Sequence, residues 1–176
     1  LSFSMGQHHD RPQEWRRLLD LTEQAAREGV NIRAQVAPRS ISILMGLQGS
    51  LSFFTGFPSF DAISDMPLPD KLALMRTPEF RTRLLSEQQA EADSPIAKRL
   101  RSADRIFPMT DPPVYEPTRD TSLSALAQQR GCTVAEVAYD HLTSGDGTQL
   151  LLAVLNNYHS GDLEVCRQML ASAQTL

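Results

Sequence analysis

The first 36 residues constrain the fold most, because an alternating segment, an amphipathic segment and a second alternating segment follow one another without a break. Leu1–Met5 alternates apolar and small polar residues, the period of a strand. Pro12 suits the first turn of a helix, where its missing N–H costs nothing. Trp15, Leu18, Leu19, Thr22, Ala25 and Ala26 then recur at helical spacing and line one face, with Arg16, Arg17, Glu23 and Arg27 off it. Gly29 ends the helix, and Val30–Val36 alternates again. A strand–helix–strand unit with a helix this long predicts a parallel, right-handed crossover, and so an α/β fold.

After Pro38 the pattern changes. Ile41–Leu51 is apolar with Gly46 and Gly49 inside it, and reads as a short buried helix. Phe53, Phe54, Phe57 and Phe60 cluster around Gly56 and Pro58, which reads as a local core more readily than as a ligand platform. From Ser59 to Leu100, Pro67, Pro69, Pro78 and Pro95 punctuate short helices, one opened by Pro69 and one by Pro78. Glu87–Asp93 reads as a solvated helix tail. Arg105–Met109 reads as a short strand.

Asp111–Pro117 holds three prolines and is predicted to be an extended surface crossing. Thr121–Arg130 and Thr133–Leu142 read as helices split by Gly131, with Thr133 and Glu136 at capping-box spacing. Gln149–Leu155 suits a strand buried on both faces. Asn156–Gly161 is a polar loop at that strand's C-terminal end. Asp162 is the expected cap of a last helix carrying Leu163, Val165, Cys166, Met169 and Leu170.

Composition limits the function. The chain has 176 residues, which suits one domain and is short of the about 250 of a complete (β/α)8 barrel. A net charge of -4 with scattered charges gives no basic face for nucleic acid. No apolar stretch approaches the ~20 residues of a membrane span, and no secretory signal pattern is present. Cys132 and Cys166 have neither disulfide-framework nor zinc-finger spacing, so a reducing, cytoplasmic setting is expected.

The candidate chemistry follows strand ends, where α/β folds bind ligands. His8-His9-Asp10 comes just after the first strand; it reads either as the source of one metal ligand or as a solvated polar loop. His159 follows a later strand, and loop polarity explains it equally well. His141 lies on an apolar helix face and reads as a core histidine. Arg39, directly after the second strand, is placed to clamp a carboxylate or to make a surface ion pair. No Gly-x-Ser-x-Gly, phosphate loop, His-x-His or His-Glu-x-x-His occurs, so no catalytic residue is assigned.

Three stretches resemble a known family. They are Leu1–Met5, then Trp15–Leu21, then Gly29-Val30-Asn31-Ile32-Arg33-Ala34-Gln35-Val36-Ala37-Pro38-Arg39. Leu123–Gly131, Thr133–Asp140, Gly161–Glu164 and Met169-Leu170 extend the likeness. Together they resemble the N-acyl-D-amino-acid deacylases, the D-aminoacylase-like family of the amidohydrolase superfamily.

The resemblance implies a segment of a (β/α)8 TIM barrel with about three strands and a helical insertion. Residues 1–50 would be the strand–helix–strand segment, 51–119 the insertion, and 120–176 the helices and strand returning to the barrel. It implies hydrolysis of an N-acyl amino acid-like small molecule by zinc-activated water. The candidate metal residues in this chain are His8 and His9, and the candidate substrate-binding residues are Gln35, Arg39 and His159. Where the family carries a strand-end histidine this chain has Phe3 and Ser4, with the histidines a few residues on. The family's Tyr-Pro-Tyr stands here as Ala37-Pro38-Arg39.

The resemblance implies an internal piece of a longer enzyme, inactive by itself, whose exposed strand edges are paired in a homo-oligomer or covered by helices. Two further readings stay open: a helix-rich interaction or scaffold domain without catalysis, and a family member that has lost its metal and only binds ligand.

Overall fold

The computed structural model describes residues 1–89 and 95–176. In chain order its regular elements are β1 (Ser2–Met5), α1 (Glu14–Arg27), β2 (Arg33–Val36), β3 (Ile41–Gly46), α2 (Pro58–Asp61), α3 (Leu68–Met75), α4 (Pro78–Ser86) and α5 (Pro95–Arg99), followed by β4 (Ile106–Pro108), α6 (Leu123–Arg130), α7 (Val134–Leu142), β5 (Leu150–Asn156) and α8 (Glu164–Leu170). The fold is mixed α/β with two small sheets among the described residues, and these sheets do not close a barrel. The chain divides into two units, 1–42 with 154–176 and 43–153. No helix among the described residues is long and apolar enough to cross a membrane.

In the first unit β1 and β2 pair in parallel, Ser2 opposite Arg33 and Met5 opposite Val36, with α1 as the crossover. The predicted strand–helix–strand unit is therefore present. The second strand is shorter than expected, starting at Arg33, and Val30 is exposed. Beyond α8 the chain returns to β2. Ala34 N–H donates to the Gln174 carbonyl at 3.0 Å, Leu176 N–H to Ala34 at 2.8 Å, and Val36 N–H to Leu176 at 2.9 Å. This adds a short parallel bridge, Ala34 to Thr175, on the side of β2 away from β1.

The period-2 alternation decides which face is covered. Met5, Ala34 and Val36 are buried with Trp15 of α1 and Val165, Cys166 and Met169 of α8, and Phe3, Leu18 and Leu19 pack against them. Burying each large apolar side chain contributes about 1.5–3 kcal/mol. Ser2, Ser4 and Gln35 point the other way and are exposed. Asp162 is not the cap of α8. The N-cap residue is Leu163, and the Asp162 carboxylate accepts from the Glu164 N–H one residue further in, at 3.0 Å.

In the second unit β5 lies between β3 and β4 and runs antiparallel to β4, with Phe107 opposite Leu152. Ile41–Leu51, expected as a helix, is instead strand β3 followed by a turn. An apolar run of this length fits either element, and here pairing with β5 decides. A Cβ on Gly46 would lie 2.7 Å from a terminal methyl of Leu150, so a larger residue there requires that side chain to shift.

Phe54 is fully buried at the centre of an aromatic cluster, with ring centroids 5.2 Å from Phe53, 5.4 Å from Phe57 and 5.8 Å from Tyr139. This is core, as the phenylalanine spacing predicts. The acidic stretch after α4 is a correction. The helix stops at Ser86, and Glu87 is extended and half-buried, its carboxylate accepting from the Ser59 N–H at 2.9 Å and from the Ser59 hydroxyl. Residues 90–93 of that stretch lie outside the described residues. Thr133 and Glu136 form the predicted capping box on α7, and Gly131 ends α6 with φ 65°.

Candidate functional site

The polar loops that follow β1, β2 and β5 meet within the first unit. The residue that joins them is Asn157. It is fully buried and has φ 63°, a left-handed conformation that asparagine tolerates better than most residues. Its Oδ1 accepts from the Gln7 N–H at 2.7 Å, and its own N–H donates to the Gln7 carbonyl at 2.9 Å. Its Nδ2 donates to the Arg39 carbonyl at 3.4 Å. One side chain thus ties the loop after β1 to the loop after β2, from the loop after β5. Buried amides of this kind are costly unless bonded, so the arrangement fixes all three loops.

Gly6 makes the approach possible, since a Cβ there would lie 2.9 Å from Asn157 Oδ1. Gln7, itself buried, extends the network: its Oε1 accepts from the His159 N–H at 3.1 Å, and its Nε2 donates to the Pro12 carbonyl at 3.3 Å. His8 forms an isolated antiparallel bridge with Asn156. Asn156 Oδ1 is shielded from solvent and has no hydrogen-bond partner among the described residues.

The network sets the histidines. His9 is buried and His159 exposed, with ring centroids 5.9 Å apart and planes tilted by 43°. His8 is half-buried beside them in sequence. Arg39 is exposed, its guanidinium donating to the Ser40 carbonyl at 3.1 Å. Gln35 is not in this cluster. It lies within β2 on the uncovered face, where its Nε2 donates to Ser2 Oγ at 3.2 Å. Of the residues singled out from the sequence, His9 and His159 are brought side by side, and the Arg39 carbonyl is tied to the neighbouring Asn157. His141 bonds the Leu150 carbonyl at 2.9 Å in the second unit and belongs to the structure of that unit.

A catalytic zinc takes three protein ligands. Among the described residues no group of three or more His, Cys, Asp or Glu side chains is gathered to hold a metal ion. The two adjacent imidazoles therefore do not by themselves fit a zinc ion. What the cluster offers instead is two rings able to carry a proton, a carboxamide that orders the loops, and one guanidinium at the edge.

Gln7 and Asn157, which organise the site, are not singled out by the sequence. Two adjacent asparagines at the end of a strand are the available signal, since asparagine is favoured where the chain must turn through positive φ. No protein-family model, curated protein or solved structure matches this chain.

Proposed function

We propose that the chain is a segment of a D-aminoacylase-like amidohydrolase barrel, and that the loops after β1, β2 and β5 form part of a mouth that binds an N-acyl amino acid. The supporting observation is the Asn157 knot. It gathers three loops at strand C-terminal ends, in a unit whose parallel strands carry helices on one face and polar side chains on the other. Barrel enzymes place their sites on such loops. The return of Gln174–Leu176 beside β2 adds a further parallel pairing, as successive barrel strands would.

In this reading Arg39 takes the substrate carboxylate, a pairing that guanidinium geometry favours. His159 flanks the acyl amide, where a ring nitrogen can hold or move a proton. Gln35 lines the uncovered face of β2. The chain's share of a zinc site is one imidazole, from His8 or His9, and the remaining donors would come from outside these residues. The isolated 176 residues are accordingly expected to bind and not to hydrolyse.

Calorimetric titration with N-acetyl-D-amino acids and with the corresponding free amino acids tests this, with amine release followed in parallel. Saturable binding of the N-acyl compounds, weakened by Arg39→Gln and without release of amine, is expected. Absence of binding, or affinity indifferent to Arg39→Gln, would overturn the assignment.

A further inference from the structure

Residues 111–117 form an arch without helix or strand. Its ends are held. Met109 N–H donates to the Leu150 carbonyl at 2.9 Å, and Pro117 is buried. Between these points Asp111 to Glu116 are exposed, Val114 to 54% and Tyr115 to 66%. A cavity of about 600 Å³ lies against the arch, lined by Phe107, Leu126, Val137 and Val114 among others, so the middle of the arch stands off the core. Among the described residues, the backbone groups of Pro113, Val114 and Tyr115 make no hydrogen bond within the chain.

The chemistry of this segment is specific. Proline fixes φ near −65°, and Asp111, Pro112 and Glu116 each precede a proline, which biases them toward extended backbone. Such a segment loses little conformational entropy when a partner takes it up. In a polyproline II helix three residues make a turn, so Pro112 and Tyr115 fall on one edge with Pro113 beside them. That edge is apolar and ends in a phenol; the Pro112 carbonyl accepts from the Thr110 hydroxyl at 2.8 Å, while those of Pro113, Val114 and Tyr115 are open to a partner's donors. Asp111 and Glu116 flank it with carboxylates, which suit a groove with a basic rim.

We propose that Pro112-Pro113-Val114-Tyr115 is a docking segment for a polyproline-II-binding domain with an aromatic-lined groove, of the WW type that reads a Pro-Pro pair followed by tyrosine. A Pro-x-x-Pro reader of the SH3 type is not matched, because no two prolines of the arch are three residues apart. The proposal is independent of the reading of the first unit.

The test is a calorimetric titration of the whole chain with a WW domain selective for Pro-Pro-x-Tyr, with an SH3 domain as comparison. Saturable one-to-one binding to the WW domain is expected. Tyr115→Ala and Pro113→Ala should each weaken it about tenfold or more, as interface anchors do. Val114→Thr, at the position the motif leaves free, should keep the affinity. All three positions are exposed, so equal melting temperatures should accompany these changes. No saturable binding, binding that survives both alanine variants, or preference for the SH3 domain would overturn the proposal.

Discussion

Asn157 and Gln7 are bonded to each other twice: the Asn157 carboxamide oxygen accepts from the Gln7 N–H at 2.7 Å, and the Asn157 N–H donates to the Gln7 carbonyl at 2.9 Å. The pair closes a loop of 150 residues in sequence. It is the tightest link between the loops of the candidate site.

Asn157→Ala is therefore expected to destabilise the protein by about 1–3 kcal/mol, because it strands the buried Gln7 N–H. Alanine also adds the left-handed penalty, roughly 1–2 kcal/mol, which glycine does not. Asn157→Gly should consequently cost less than Asn157→Ala. Chemical denaturation of the two variants checks the order.

Gly6→Ala should act through the same bond. The added Cβ would meet Asn157 Oδ1 at 2.9 Å, and that oxygen is held by the Gln7 N–H. The variant is expected to fold with lower stability, and with the His9 and His159 ring resonances displaced from their wild-type positions in an NMR spectrum.

Tyr139 gives a pH signature. Its hydroxyl is buried in the core and donates to the Met75 carbonyl, and burial pushes its pKa from 10.0 up to about 12. A raised folded pKa contributes stability that is complete below pH 10 and is lost as the pH rises toward about 12. Lys71 acts in the opposite sense. Its ammonium donates to the Leu47 and Ser64 carbonyls at 2.8 and 2.7 Å, and burial lowers its pKa from 10.5, against the nearby Asp65. Its contribution makes stability rise with pH in the window below 10.5. Tyr139→Phe should remove the loss between pH 10 and about 12 and leave the Lys71 effect in place. Denaturation midpoints measured across alkaline pH distinguish the two.

Lys71→Met keeps most of the stem and removes the ammonium. The buried Leu47 carbonyl and the part-buried Ser64 carbonyl then lose their donor, and a cost of about 1–3 kcal/mol is expected. A variant as stable as the parent would show that the ammonium's desolvation offsets its two hydrogen bonds.

What the sequence made legible was local. The Thr133–Glu136 capping box spans three residues, and the α1 face is a periodicity. The parallel β1–β2 pairing follows because a crossover helix lies between two alternating segments. Ile41–Leu51 was ambiguous by nature, since a short apolar run fits a strand or a buried helix until its partner is known. Glu87 looked like surface charge because its partner Ser59 is 28 residues away. His8, His9 and His159 were visible as strand-end polar residues. The Gln7–Asn157 pair that places them was not, because nothing in either segment announces a bond across the length of the chain.

The proposal that the loops tied by Asn157 form one ligand mouth leads to a direct experiment. A 1H–15N NMR titration of the chain with an N-acetyl-D-amino acid tests it most directly. Saturable shifts concentrated at Gln7, His9, Arg39, Asn157 and His159 are expected, and their loss in Asn157→Ala. Shifts concentrated in residues 43–153, or no shifts at all at saturating ligand, would contradict it.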